Sequence, residues 1–293
     1  TGTMTNQATS DLVYSSVLPD QSFLTGVNSA YNFIDLDGSD EYINVADSDD
    51  LSFGDGSADS PFSISAWINM DDATGFTIAS KGVYNSTGEW LFNTSSADKL
   101  YFAIMDESVT NAIEECLSSS AITSDEGSWI HVVATYDGRG GSTARNGIKL
   151  YKNGSELSIS ASGGAGTYVA MENLGADVHI GRYVSTYSDG KISNLGIWNK
   201  ELSSIEVSAI YTAGRHSNLL DSYADNLVGN WAMSALDASS GISDVGNGTI
   251  YDRSGQSNHG TATNTESADL ASSPNAEPHG YAKQDSNRTT TIP

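Results

Sequence analysis

The sequence predicts an all-β protein, a two-sheet antiparallel β-sandwich with one short helix, and three observations carry that prediction. Strand-length runs alternate apolar and polar side chains with a period of two residues. Turn formers such as Asp-Gly and Asn-Gly punctuate those runs. The composition, 38% hydrophobic and only 17% charged with 29 glycines in 293 residues, suits many short strands joined by tight turns and supplies a sizeable core.

The elements follow in order. In Phe62-Ser63-Ile64-Ser65-Ala66-Trp67-Ile68-Asn69-Met70 the apolar side chains fall on every second residue, leaving Ser63, Ser65, Trp67 and Asn69 for the other face. Trp129-Ile130-His131-Val132-Val133-Ala134-Thr135-Tyr136 repeats the pattern and stops at Asp137-Gly138. Ile148-Lys149-Leu150-Tyr151-Lys152 runs into Asn153-Gly154, the strongest short hairpin signal. Further strands are expected over residues 177–183 and 191–199. Ser203-Ser204-Ile205-Glu206 has the form of a capping box, in which Ser203 and Glu206 satisfy each other's free amides, and Gly214 can close the far end of the helix. After Ser217 the chain turns polar, until Leu227-Val228-Gly229-Asn230-Trp231-Ala232-Met233 begins a new strand. Beyond Ala271 it is rich in Pro, Ser and Asn and reads as an extended tail.

An internal repeat shapes the organisation. Gly2, Thr3, Thr5, Asn6, Asp11 and Leu12 return as Gly260, Thr261, Thr263, Asn264, Asp269 and Leu270, at a constant offset of 258 residues. A period of that size is one whole domain. It implies a chain that starts part-way into one module and ends part-way into the next, or an end that replaces the beginning in a neighbouring copy. The opening Thr1-Gly2-Thr3-Met4 is neither an initiator methionine nor a secretory signal, so processing or excerpting is expected.

Charge excludes some partners. Thirty-seven acidic residues face 13 basic ones for a net charge of −24, and no Lys or Arg precedes Lys81. Nucleic acid and anionic membrane surfaces are repelled by such a surface. No run approaches the ~18 apolar residues of a membrane span. The lone cysteine, Cys116, cannot form an intrachain disulfide, and its neighbours Glu114 and Glu115 raise its thiol pKa, which makes it unreactive.

Taken together, Phe33 to Gly38, Asp40-Glu41-Tyr42-Ile43-Asn44-Val45, Phe62 to Ile68, Trp129 to Gly138, His179-Ile180-Gly181-Arg182, Asp189-Gly190-Lys191-Ile192 and Ile197-Trp198-Asn199-Lys200-Glu201-Leu202-Ser203 resemble the laminin-G-like jelly-roll modules, of concanavalin A-like type, found in bacterial and viral surface proteins. The likeness runs over roughly residues 30–214. It implies two antiparallel sheets packed face to face with loops at the rim, and a place at an extracellular, cell or virion surface. In that family a module opens with a segment resembling Leu227-Val228-Gly229-Asn230-Trp231 followed by Asp252-Arg253-Ser254-Gly255, which here comes last. The chain therefore divides into an N-terminal strand or linker segment (1–29), a jelly-roll core (30–216), a segment resembling the start of a following module that completes this sandwich or a neighbouring one (217–270), and an extended tail (271–293).

Two candidate sites follow. Asp47, Asp49 and Asp50, with Asp37 and Asp40 nearby, can supply the clustered oxygens that calcium needs, and the resemblance implies calcium at a rim; solvated acids in an acidic protein are the competing reading. Asp71, Asp72 and Asp189 are weaker candidates. Tyr84, Trp90, Tyr183 and Tyr187 lie in or beside expected loops and can offer rings on which a sugar's apolar face stacks, although Trp90, inside Glu89-Trp90-Leu91-Phe92, also reads as a core residue. Trp67, Trp129 and Trp198 read as core, and so do His131 and His179, which have no second histidine nearby. Glycoside hydrolysis needs two carboxylates across a cleft, an arrangement that Asp35-Leu36-Asp37 and Glu114-Glu115 do not reproduce. The expectation is a non-catalytic adhesion or glycan-binding module, stabilised by calcium, whose partner is a glycan or a host or cell-surface component, with tandem modules or homo-oligomers. The alternative is a structural subunit of a virion decoration or extracellular filament that assembles by strand addition.

Overall fold

The computed structural model describes residues 32–233, 248–265 and 270–272. They form two large antiparallel sheets. Across the eight-stranded sheet the order is Ser155–Glu156, Ile148–Lys152, Ile130–Tyr136, Phe62–Met70, Asp189–Trp198, Asn32–Asp37 and Leu270–Ser272, with Leu227–Trp231 also paired to Asp189–Trp198. The nine-stranded sheet runs Ile159–Gly163, Ala112–Ser118, Leu100–Asp106, Trp90–Thr94, Thr77–Lys81, Val178–Ile180, Tyr42–Val45, Gly260–Thr263 and Thr249–Ile250. A two-stranded ribbon, Arg182–Tyr183 with Thr186–Tyr187, stands apart. It arises because the strand expected over 177–183 breaks at Gly181.

Period-two burial builds the interior. Phe62, Ile64, Ala66, Ile68 and Met70 are each 0% exposed, as are Val132 and Ala134 opposite them. Phe62 is the hub. Its ring stacks on Phe53 at 4.1 Å and 7°, meets Tyr136 edge-on, and lies 5.6 Å from Phe102. Such pairs add roughly 0.5–1.5 kcal/mol each beyond the area they bury.

The opposite face of this sheet is also dry, which alternation alone does not foresee. Ser63 and Ser65 are buried because the chain from Asn199 onward and the helix Ser204–Ala213 cover them. Ser63 Oγ donates to the Lys200 carbonyl and accepts from the Leu202 amide. A second apolar cluster, containing Val133, Tyr151, Trp198, Leu202, Val207 and Ile210, fills this layer. The helix starts as its sequence predicts: Glu206 N–H donates to Ser203 Oγ and Ser203 N–H donates to Glu206 Oε2. Of the three tryptophans read as core, Trp198 is fully buried, whereas Trp67 and Trp129 are half-buried. Trp67 stacks on Tyr211 of the helix at 5.7 Å.

The predicted hairpin is present. Asn153 and Gly154 both take left-handed φ values, 50° and 77°, as the tight two-residue turn requires. Gly154 is needed for space as well, since a Cβ there would meet Tyr211 Cδ1 at 2.9 Å.

The late segment lies on this sandwich. Leu227–Trp231 pairs with Asp189–Trp198, Gly260–Thr263 with Tyr42–Val45, and Leu270–Ser272 with Asn32–Asp37. Trp231 is wholly buried, and its indole N–H donates to the Asn258 carbonyl. The first copy of the repeat, residues 1–12, and the tail after residue 272 lie outside the described residues.

His131 is buried, with Nε2 at 2.8 Å from Ser65 Oγ. Burial pulls its pKa down to about 4, so the fold holds the neutral ring. A His with a lowered folded pKa contributes full stability above the ordinary value of about 6.5 and loses it as pH falls from there toward 4. His131→Gln should therefore flatten the acid side of the stability curve by ~3 kcal/mol between pH 7 and pH 4 in denaturant melts. Phe62→Ala, which empties the aromatic hub, should cost about 3–5 kcal/mol at neutral pH, read as a lowered urea midpoint.

Candidate functional site

The site is on the outer face of the nine-stranded sheet, and strand register assembles it. Leu91 pairs with Ala103, Asn93 with Tyr101, Ala103 with Glu115, and Met105 with Ile113. Residues paired in this way share a face, so these side chains stand together on the side away from the core. The inward set on the same strands, Trp90, Phe92, Phe102 and Ile104, belongs to the main interior. Tyr84 and Tyr183 rise at one end, the first from the turn after Lys81 and the second from the small ribbon. The Tyr84 amide donates to the Tyr183 hydroxyl at 3.2 Å. The result is a cleft of about 440 Å³, floored by Leu91, Met105 and Ile113 and walled by Tyr84, Tyr101 and Tyr183.

Few polar groups enter it, and their states are defined. Tyr101 donates its hydroxyl proton to Glu115 Oε2 at 2.6 Å, and Ser162 Oγ donates to Glu115 Oε1 at 2.6 Å. Asn93 Oδ1 is shielded from solvent and has no hydrogen-bond partner among the described residues. Burial raises the pKa of Tyr84, Tyr101 and Tyr183; the Glu115 hydrogen bond adds to the rise at Tyr101, and Glu107 adds to it at Tyr84 and Tyr183. All three keep their hydroxyl protons at neutral pH.

The four aromatic candidates therefore separate. Tyr84 and Tyr183 share the cleft. Trp90 does not: it is 0% exposed in the sandwich interior, and its indole N–H donates to the Leu51 carbonyl. It points inward because it alternates with Leu91 on one strand. Tyr187 lies elsewhere, 6.2 Å from Tyr42, with the Arg182 guanidinium 5.5 Å above its ring. His179, read as core, is half-buried against Tyr42 at 5.2 Å.

The aspartates also scatter. Asp47 is taken by the Lys81 ammonium at 2.5 Å, a side chain with 0% exposure that also lies 3.3 Å from Glu89. Asp49 Oδ1 accepts from Asn173 Nδ2, and Asp37 Oδ1 accepts from the Ser39 amide. Asp40 and Asp50 are exposed. Among the described residues no three acidic, His or Cys side chains form a group that could hold a metal. Asp37, Asp40, Asp47, Asp49 and Asp50 are thus not gathered into one group: Lys81 faces Asp47, Asn173 faces Asp49 and the Ser39 amide faces Asp37. Asp189 sits nearer to acidic company: burial raises its pKa, and then Asp71, Asp72 and Asp37 raise it further. There Lys191 is the counter-charge, 3.1 Å from Asp35 and 4.0 Å from Asp71.

The carboxylates beside Cys116 are likewise engaged. Glu114 is buried and binds Arg145 Nη1 at 2.7 Å, while Glu115, on the other face of the strand, lines the cleft. Burial first, then Glu115 and Glu114, push the Cys116 thiol up to about 12.

The arrangement is a two-sheet antiparallel sandwich with an aromatic-walled cleft on one sheet face. The chain belongs to the laminin-G-like family described as the concanavalin A-like lectin/glucanases superfamily, whose model matches residues 37–208. No curated protein matches it. Among solved structures it is similar to a Bacteroides ovatus protein provisionally described as carbohydrate-binding, at 16% identity and TM-score 0.49, over 80% of this chain and 57% of that one. It is similar to a heptameric SAP-like pentraxin from Limulus polyphemus at 17% identity and TM-score 0.37, over 61% of this chain and 85% of that one. A botulinum neurotoxin serotype C1 binding domain aligns at 17% identity and TM-score 0.32, over 53% of this chain and 36% of that one. The chain thus spans little more than half the length of the first of these, and such likenesses speak to the fold alone.

Lys81 offers a test of the buried charge network. Lys81→Met leaves Glu89, itself 0% exposed, without its cation, and should cost about 3–5 kcal/mol at pH 7. Burial already raises the Glu89 pKa, so the loss should shrink as pH falls and Glu89 takes up a proton, as parallel melts at pH 7 and pH 5 would read.

Proposed function

We propose that this chain is a non-catalytic, surface-exposed module that binds a neutral glycan in the cleft between Tyr84, Tyr101 and Tyr183. The observation that carries the reading is the cleft's combination of an apolar floor with walls of three tyrosines. A pyranose offers an apolar face to rings and a rim of hydroxyls to polar groups. Its hydroxyls can accept from Tyr84 and Tyr183, whereas the Tyr101 proton is already given to Glu115. Sulfated and sialylated sugars are disfavoured, because Glu115 lines the cleft and the whole chain carries −24.

Hydrolysis is not part of this reading. Its usual mechanism requires two carboxylates flanking one bond, and Glu115 is the one carboxylate among the residues lining the cleft. Both its oxygens already accept hydroxyl protons. Support also comes from membership of a superfamily that contains lectins. No described helix is long and apolar enough to cross a membrane.

A glycan array followed by titration calorimetry tests this. Binding to a neutral glycan is expected, with Tyr84→Ala and Tyr183→Ala each weakening it tenfold or more, about 1.4 kcal/mol, and Tyr187→Ala leaving it unchanged. No reducing ends should be released from the bound glycan. An array without hits, or equal losses in the Tyr187 variant, would overturn the assignment.

A further inference from the structure

The outer face of the nine-stranded sheet continues past the cleft. Paired residues carry one row across it, through Ala103, Leu91, Ser80, His179, Asn44 and Thr261, and along that row the side chains change from apolar to polar. The ribbon of Arg182–Tyr183 and Thr186–Tyr187 stands over the change, tied down where Ser80 Oγ donates to the Arg182 carbonyl. Its register sets Tyr183 with Thr186 on one side and Arg182 with Tyr187 on the other. Tyr183 walls the cleft. Arg182 and Tyr187 face the polar half instead, beside Tyr42, whose ring also meets His179. At ~4.8 Å per strand, Asn44 stands about 14 Å from the cleft floor at Leu91.

Arg182 differs from most cations of this protein. Its guanidinium lies 4.5 Å from the centre of the Tyr42 ring and 5.5 Å from that of Tyr187, and its Nε donates to the Val184 carbonyl at 2.8 Å. Val184 has φ 56°, a conformation that strains a β-branched residue, and this strained turn is what presents the carbonyl to Nε. Stacking and the Nε bond fix the plane of the guanidinium in advance, which lowers the entropy lost on binding. Among the described residues Arg182 has no carboxylate at ion-pair distance, in contrast to Lys81, Arg145 and Lys191, and the Nε bond is the one hydrogen bond of its side chain. Asp177, the acid beside this row, already accepts from Asn44 Nδ2 and from the Asp47 amide. Burial first, then Arg182, lower the His179 pKa, so at pH 7 its ring is neutral and offers one donor and one acceptor.

We infer that this polar half of the face binds the carboxylate of a uronate sugar, with the two Nη groups of Arg182 paired to its two oxygens and the sugar hydroxyls over His179, Asn44 and Thr261. A guanidinium fork matches a planar carboxylate in both charge and geometry. The adjoining imidazole, amide and hydroxyl groups suit a ligand that carries hydroxyls around its carboxylate. An acidic peptide has few hydroxyls and several charges, and it meets the repulsion of a chain with net charge −24. For a single carboxylate that repulsion is screened beyond about 8 Å at physiological salt, and the cation in contact prevails. The site is separate from the cleft and does not require the cleft to be occupied.

Titration of the full chain followed by nuclear magnetic resonance, with methyl glucuronide, methyl glucoside and acetate as probes, tests this. Methyl glucuronide should bind about tenfold or more tightly than either of the others. Arg182→Gln should abolish that preference. Arg182→Lys keeps the charge and loses the fork, so it should weaken glucuronide binding by about threefold or more while the urea midpoint stays where it is. Glucuronide binding no tighter than glucoside, or undiminished in both Arg182 variants, would overturn the inference. Acetate binding as tight as glucuronide would also overturn it, by reducing the site to a bare anion contact. A loss of glucuronide binding in Tyr84→Ala would place the uronate in the cleft and overturn this inference while leaving the cleft assignment standing.

Discussion

The structure depends on keeping both faces of the strand Phe62–Met70 and its neighbours away from water. Its inner face meets the second sheet across the aromatic hub at Phe62, and its outer face is sealed by the helix Ser204–Ala213 and the chain that leads into it. Because the central strands are covered on much of both faces, the serines on the outer face turn to partners inside the protein. Ser63 finds the Lys200 carbonyl, and Ser65 finds His131. The neutral His131 ring is therefore a consequence of the packing and not a sign of chemistry.

The nine-stranded sheet solves the same problem differently. Around Leu91, Met105 and Ile113 no helix covers its outer face, yet the residues there are apolar. The floor residues are themselves already well shielded, Leu91 at 5%, Met105 at 1% and Ile113 at 9% exposure, because the tyrosine walls close over them. Rigid strands hold the floor and one wall, and the turn that carries Tyr84 is tied to the ribbon that carries Tyr183 by a hydrogen bond.

With 37 acids and 13 bases, the protein places several of its cations where carboxylates would otherwise be stranded. Lys81 serves Asp47 and Glu89, Arg145 serves Glu114, and Lys191 serves Asp35 and Asp71. Lys81 reaches Asp47 from 34 residues away in the sequence, while Asp49 is held by Asn173.

Local rules are short-ranged, and what they govern was written in the sequence itself. Alternation around Ile64 and Val132, the Asn153-Gly154 turn, and the reciprocal cap of Ser203 and Glu206 depend on neighbours a few residues apart, so the sandwich, its hairpin and its helix could be read directly. Tyr84 and Tyr183 could be singled out for the same reason, as aromatic residues beside turns. Tyr101, Asn93 and Glu115 were missed, although both faces of Leu100–Asp106 being apolar was a signal that its outer face had something to cover. Which rings share a cleft, that Trp90 faces inward while Leu91 faces out, and that Lys81 cancels Asp47 were decided by tertiary structure alone. Strand register and sheet order set those relations between residues distant in the chain, and no local pattern encodes them.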